Sequence, residues 1–160
     1  MSTATRTRVI GLGNPILGDD GVGWCVAERV RDALCGTDVD VLCLAVGGVS
    51  LMEEMVGCER AVLVDAVVTG GTPGEVLSGP LDALGDPACG HTASTHDTTL
   101  MTALSMGRAI AAPLPDEVWV VGVEVDPARL HEFSDSLSPE VAAAVPEAVQ
   151  RVQAWLAQTR

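Results

Sequence analysis

Residues 9–23 read VIGLGNPILGDDGVG, an apolar segment that runs into a glycine-rich turn and two adjacent carboxylates. The apolar residues predict a short buried strand over residues 8–13. Valines spaced four residues apart then predict a helix over residues 22–34. Glycine permits the tight turn between the two elements. A strand, a turn and a helix in this order indicate the first unit of an α/β fold.

The two carboxylates, Asp19 and Asp20, stand where the first helix is expected to begin. Aspartate is a favoured N-cap residue, and a negative charge is stabilised at the positive end of a helix dipole. Two interpretations remain open: Asp20 only caps the helix, or one Asp caps while the other projects a ligand into a crevice. A dinucleotide-binding turn fits less well, because Ile16 replaces the third glycine and the negative loop would repel a pyrophosphate.

The remainder of the chain alternates between predicted strands and helices. Strands are predicted over residues 40–46, 59–68, 75–78 and 118–125, and helices over residues 50–56, 98–112 and 139–158. This alternation predicts one domain over residues 1–160. The expected architecture is an α/β three-layer sandwich, in which a mostly parallel, twisted sheet of about five strands carries helices on both faces.

Two details of the later helices can be checked directly. In the helix at residues 98–112, we expect the apolar side chains of Leu100, Ala103, Leu104 and Ile110 to face the core. In the last helix, we expect Pro146 to kink or split the element, because proline lacks a backbone N–H.

Composition restricts the classes of function. The 160 residues contain 9 basic and 22 acidic side chains, and the resulting net charge of −13 repels phosphate backbones, so nucleic-acid binding is not expected. No apolar run reaches the roughly 18 residues of a membrane span, and residues 1–8 show no secretory signal. The five cysteines form no C-x-x-C pair, and Cys25, Cys43 and Cys58 are predicted to be buried thiols. We therefore expect the protein to be in the reducing cytoplasm. We also expect it to act as a monomer.

Three residues are candidates for one functional site. Ligand sites of α/β sheets lie beyond the carboxyl ends of the strands. Asp20 follows the first strand, Asp65 interrupts the apolar segment 61–68, and His96 precedes a helix, so we expect the three side chains to meet at one sheet edge. Two carboxylates and an imidazole could hold a first-row divalent ion and leave positions open for a substrate.

Other interpretations of these residues remain open. Burying the Asp65 carboxylate is costly unless it is paired or bound to metal, but backbone amides of the following turn could also satisfy it. His96 could simply be exposed beside a helix cap. A competing zinc cluster would combine Cys89, His91 and His96, although it lacks an evident fourth ligand.

Several segments together resemble a known family. The pattern G-x-G-N-x₄-D-D-x₂-G, which begins at Gly11, is similar to the N-terminal signature of the hydrogenase maturation peptidases. Further resemblances are LVDAV at residues 63–67, STHD at 94–97, and VGVE at 121–124 followed by LSP at 137–139. The segments occur in the family's order and span nearly the whole chain.

The resemblance implies an activity and a set of site residues. Members of this family remove a C-terminal extension from the large subunit of nickel–iron hydrogenases. The family's three metal ligands correspond to Asp20, Asp65 and His96, where family members often have Glu in place of Asp20. The implied metal is nickel, presented largely by the hydrogenase precursor, and other divalent ions could substitute.

Candidate substrate-binding residues are Asn14, Gly47 and Gly48. Backbone amides at Gly47 and Gly48 could line the cleft, although an ordinary loop between a strand and a helix explains these glycines equally well.

No convincing covalent nucleophile is visible in the sequence. Amide hydrolysis would then proceed through a metal-polarised carbonyl and an activated water, with Asp65 or Asp20 as the base. One alternative is a peptidyl-tRNA hydrolase, which opens with a similar G-L-G-N-P, but this chain has no Tyr and no His before His91. A second alternative is a non-catalytic maturation chaperone that binds nickel or the hydrogenase.

Overall fold

Strands and helices alternate along the chain in the computed structural model, which describes residues 6–85 and 98–158. The strands are β1 (Thr7–Leu12), β2 (Val39–Leu44), β3 (Arg60–Val67), β4 (Val76–Pro80) and β5 (Glu117–Glu124). The helices are α1 (Val22–Ala33), α2 (Gly48–Glu54), α3 (Leu81–Leu84), α4 (Leu100–Ala109) and α5 (Pro139–Leu156). Short 3-10 turns occupy Gly18–Gly21 and Pro127–Arg129.

The five strands form one sheet in the order β2-β1-β3-β5-β4. Neighbouring strands are parallel except for β4, which runs antiparallel to β5 at one edge. The carboxyl ends of β1, β3 and β5 therefore lie at the same edge of the sheet. This arrangement confirms the predicted α/β fold with a mostly parallel five-stranded sheet.

Helices cover both faces of the sheet, and each face has its own apolar core. Because side chains alternate along a strand, Val9 and Val62 pack on one face with α1 and α5, whereas Ile10 and Leu63 pack on the other with α2 and α4. All four of these side chains are fully buried. β1 and β3, each of which lies between two other strands, carry apolar side chains on both faces for this reason.

The structure corrects one prediction about the later helices and decides part of another. Leu100, Ala103 and Leu104 are buried as predicted, but Ile110 is 80% exposed, because α4 ends at Ala109 and the chain turns away from the core. Of the two outcomes expected at Pro146, a split does not occur, because α5 continues from Pro139 to Leu156. A kink at Pro146 stays a prediction. Pro146 is exposed, so the hydrogen bond that its missing N–H removes lies on the solvent side of the helix.

The cysteines of the described residues are all free thiols. Cys58 is buried as predicted, whereas Cys25 and Cys43 are only partly buried and Cys35 is exposed. None of the helices in residues 6–85 and 98–158 combines the length and apolar character needed to cross a membrane.

Candidate functional site

The 3-10 turn between β1 and α1 buries Asp20, whose exposed fraction is 5%. Its Oδ2 accepts a 2.8 Å hydrogen bond from the backbone N–H of Asn14, and its own N–H donates to the carbonyl of Leu17 at 3.2 Å. The carboxylate thus holds the loop after β1 in a closed turn. Neither carboxylate caps α1, because its N-cap is Gly21 and no side chain bonds there. The prediction that an Asp caps this helix is therefore wrong: the extra turn keeps both residues ahead of the helix.

Asp19 is equally buried but faces another part of the fold. Its exposed fraction is 3%, and its Oδ1 accepts a 2.6 Å hydrogen bond from the backbone N–H of Ser138, the N-cap residue of α5. The two neighbouring carboxylates therefore hold different elements. Asp20 shapes its own loop, and Asp19 joins that loop to the start of the last helix.

Asp65 is fully buried within β3, two residues before the strand ends. It shares the side of the strand occupied by Leu63, and its partner in register on β5 is Gly122. Its Oδ1 accepts a 2.8 Å hydrogen bond from the backbone N–H of Ala66. A backbone amide thus binds one oxygen of this carboxylate, as one of the two sequence interpretations proposed.

Gly23 brings the segments of Asp20 and Asp65 against each other. A Cβ atom added to Gly23 would lie 2.2 Å from the carbonyl oxygen of Leu12 and 2.3 Å from that of Val64. The start of α1 therefore touches the backbones of β1 and β3. Because Gly23 follows Asp20 by three residues and Val64 directly precedes Asp65, both carboxylates belong to one packed region at the carboxyl edge of the sheet.

The third predicted ligand, His96, lies outside the described residues, as do Cys89 and His91 of the alternative zinc cluster. Within residues 6–85 and 98–158, no three His, Cys, Asp or Glu side chains form a group arranged to hold a metal ion. The convergence of Asp20, Asp65 and His96 on one ion therefore stays a prediction.

The candidate substrate-binding residues have defined local roles. The side-chain Oδ1 of Asn14 accepts a 3.2 Å hydrogen bond from the N–H of Ile16, so Asn14 shapes the loop that holds Asp20. Gly47 is the N-cap of α2. Gly48 has a φ of +54°, and a Cβ there would lie 2.3 Å from the carbonyl oxygen of Thr98, so only glycine fits. Binding of substrate by these three residues stays a prediction.

Sequence reasoning assigned no role to Glu124, a buried carboxylate at the end of β5 with an exposed fraction of 1%. Its Oε1 accepts hydrogen bonds from the backbone N–H groups of Thr69, Gly70 and Gly71 at 2.8, 3.0 and 3.1 Å. Its Oε2 accepts from the Thr69 hydroxyl at 2.7 Å. Glu124 thereby fixes the loop that follows β3. The signal was available, since Glu124 directly follows the apolar run of residues 118–123, much as Asp65 interrupts the apolar segment 61–68.

Comparison with known proteins gives a consistent result. A family model described as hydrogenase maturation protease (HycI) matches residues 26–155. The hydrogenase expression/formation protein HupD of Rhodobacter capsulatus is 26% identical over 155 residues, which cover 94% of this chain and 72% of that protein.

Solved structures are similar over the same extent. The hydrogenase maturating endopeptidase HybD of E. coli is 25% identical, with a TM-score of 0.74, over 94% of this chain and 91% of that chain. The hydrogenase 2 maturation peptidase of Thaumarchaeota archaeon SCGC_AB-539-E09 is 29% identical, with a TM-score of 0.65, over 94% and 97%.

Proposed function

Since this chain belongs to the hydrogenase maturation protease family, we propose that it is the endopeptidase that removes the C-terminal extension from the nickel-loaded large subunit of a nickel–iron hydrogenase. The observation that carries this proposal is the pair of buried carboxylates, Asp20 and Asp65, in one packed region at the carboxyl edge of the sheet. That edge is where α/β folds bind their ligands. The peptidyl-tRNA hydrolase alternative is not retained, because the family match covers most of the chain.

The residues proposed to act are Asp20, Asp65 and His96. A buried carboxylate is costly unless other groups stabilise its charge. Asp20 and Asp65 come after or near the ends of the neighbouring strands β1 and β3, at the edge where α/β folds bind their ligands. Each accepts a backbone N–H bond, from Asn14 or from Ala66, and this bond fixes the orientation of the carboxylate. Two oriented carboxylates suit both metal recognition and proton transfer.

Nickel enters this proposal as part of the substrate. Carboxylate oxygens and an imidazole nitrogen are suitable ligands for a first-row divalent ion, so the site could recognise a precursor by the metal it already holds. Other divalent ions of similar size could replace nickel in binding experiments. We therefore expect the free protein to bind such ions weakly.

The proposed reaction is hydrolysis of one peptide bond by water, of an aspartyl type. Asp20 or Asp65 takes a proton from the attacking water and returns it to the amine that leaves, as general acid–base catalysis requires. A divalent ion held by Asp20, Asp65 and His96 would polarise the carbonyl group of the scissile bond. We also propose that the enzyme acts as a monomer in the cytoplasm, where its free thiols stay reduced.

A cleavage assay with purified components tests the proposal. The protein is incubated with nickel-loaded or nickel-free precursor, and the products are identified by mass spectrometry. We expect the nickel-loaded precursor alone to lose a short C-terminal peptide. Equal trimming of nickel-free precursor would refute the role of nickel. Binding without cleavage would instead support a chaperone.

A further inference from the structure

Two large apolar side chains are exposed beside the turn that carries Asp20. Phe133, the single phenylalanine of the chain, is 86% exposed, and Ile16 is 57% exposed. Aromatic side chains usually bury most of their surface, and they are enriched where proteins bind one another. The two residues, called here the apolar rim, are therefore a candidate contact surface.

Backbone pairing places the two residues of the apolar rim side by side. Leu17 and Ser134 form a parallel β-bridge, with a 2.8 Å bond from Gly18 N–H to the Ser134 carbonyl and a 3.0 Å bond from Ser134 N–H to the Ile16 carbonyl. Ile16 and Phe133 each come one residue before the bridge and are both exposed, whereas the bridged residues Leu17 and Ser134 are less exposed.

The apolar rim is fixed to the candidate site. Ile16 lies in the loop that the bond between Asn14 N–H and the Asp20 carboxylate closes. Phe133 lies five residues before Ser138, whose N–H donates a hydrogen bond to the Asp19 carboxylate and so holds this segment against the turn. The same pair of neighbouring aspartates therefore sets both the site and the rim beside it.

Acidic side chains outnumber basic ones next to the apolar rim. Glu132 and Asp135 flank Phe133 and are exposed. A cavity of about 200 Å³ opens on the same segment, and its charged lining residues are Asp19, Glu132 and one basic residue, Arg129. A partner that fits this surface presents an apolar patch with neutral or basic surroundings. A second copy of this chain fits poorly, because two acidic surfaces of molecules with net charge −13 would face each other.

We infer that the apolar rim is the docking surface for the folded body of the large-subunit precursor, an inference that rests on the proposed function. Cleavage of a protein substrate requires the enzyme to hold the body of that protein next to the site. The apolar rim lies on the outer side of the loop whose carboxylate Asp20 belongs to that site. It therefore contributes to binding of the precursor and takes no part in the chemical step.

Kinetics on the nickel-loaded precursor test this inference with the variants Phe133→Ser and Ile16→Ser. We expect each to raise KM at least about fivefold and to leave kcat unchanged, because a contact residue contributes to binding alone. The matched control is Ile110→Ser, which removes an 80% exposed apolar side chain after α4, away from the carboxyl edge. It should leave KM unchanged.

Three other outcomes overturn the inference in different ways. If the wild-type protein cleaves the precursor and Phe133→Ser has the same KM, docking at the apolar rim is wrong and the proposed function stands. If the wild-type protein neither binds nor cleaves the precursor, the proposed function fails and the inference fails with it. If sedimentation shows a wild-type dimer that Phe133→Ser dissociates, a second copy of this chain occupies the surface.

Discussion

The carboxylate of Asp19 accepts a 2.6 Å hydrogen bond from the backbone N–H of Ser138, which lies 119 residues further along the chain. This bond joins the turn after β1 to the start of α5. A charged acceptor strengthens a hydrogen bond, and the low exposure of Asp19 limits competition from water. One side chain therefore joins two parts of the chain that are far apart in sequence, and it does so beside the candidate site.

Replacing Asp19 with alanine should destabilise the protein. Asp19→Ala removes the acceptor for the Ser138 N–H, so we expect the free energy of unfolding to fall by about 1–3 kcal/mol. Urea denaturation measures this change. Asp32→Ala, which replaces an exposed Asp on α1, is the control and should stay within about 0.5 kcal/mol of wild type. Equal effects of the two variants would contradict a structural role for Asp19.

The cluster around Glu124 should respond in a graded way to substitution. Glu124→Gln keeps one carbonyl oxygen for the N–H groups of Thr69, Gly70 and Gly71, but removes the charge. Glu124→Ala removes every acceptor and leaves a void. We expect losses of about 1–2 kcal/mol for Gln and more than about 3 kcal/mol for Ala in urea denaturation. If the two variants were equally stable, the carboxylate would not be holding this loop.

The sequence could predict those features that depend on local patterns. The valine spacing of α1, the apolar runs of β1 and β3, and the single carboxylate Asp65 within an apolar segment are all visible over a few residues. Each follows from burial, which requires apolar side chains at regular positions. The mostly parallel direction of the strands then follows from their alternation with helices.

The features that the sequence could not predict depend on distant contacts or on element ends. No local pattern connects Asp19 to Ser138 or Glu124 to the loop at Thr69, because each pairing needs the finished fold. Ile110 shows the second difficulty: it continues the apolar stripe of α4, but the helix ends one residue earlier and leaves it exposed.

Gly23 should tolerate no side chain, for steric reasons alone. The Cβ of alanine at this position would lie 2.2 and 2.3 Å from two backbone carbonyl oxygens, which no change of rotamer can relieve. We expect Gly23→Ala to cost at least about 3 kcal/mol in urea denaturation. The control Gly36→Ala places a methyl group in open space at a φ of +90° and should cost about 1–2 kcal/mol. A smaller cost at Gly23 than at Gly36 would contradict the close contact of α1 with the sheet.

Cys58 should be slow to react and should make stability dependent on alkaline pH. Burial raises the pKa of the Cys58 thiol above its ordinary value of 9.0, and the nearby charges of Arg8 and Arg6 offset this only in part. The native state therefore holds this proton more tightly than the unfolded state, so its contribution to stability is complete below pH 9.0 and is lost as pH rises through the native pKa.

Two measurements check the behaviour of Cys58. In alkylation with iodoacetamide followed by mass spectrometry, exposed Cys35 should be modified well before Cys58. In urea denaturation, the decrease in stability at alkaline pH should be smaller for Cys58→Ala than for the wild-type protein. Labelling of Cys58 as fast as Cys35 would show that the thiol is not protected in the native state.

Replacing Asp20 or Asp65 with asparagine should reduce catalysis and leave the fold intact. In Asp65→Asn, the side-chain oxygen can still accept the bond from the N–H of Ala66, so the fold should be retained. We expect kcat for the nickel-loaded precursor to fall at least about a hundredfold for Asp65→Asn and for Asp20→Asn, because proton transfer is lost. His96→Ala should leave the precursor uncut.

The control for these variants is Asp40→Asn, which changes a partly exposed carboxylate paired with Arg8 near the amino end of β2. Its kcat should match that of the wild-type protein, since the change lies at the opposite edge of the sheet. Processing by Asp65→Asn at more than half the wild-type rate would remove this residue from the proposed mechanism. The kinetic pattern also distinguishes the candidate site from the apolar rim. The carboxylate variants should lower kcat, because Asp20 and Asp65 act on the scissile bond. Phe133→Ser should raise KM, because Phe133 contacts the precursor protein that carries this bond.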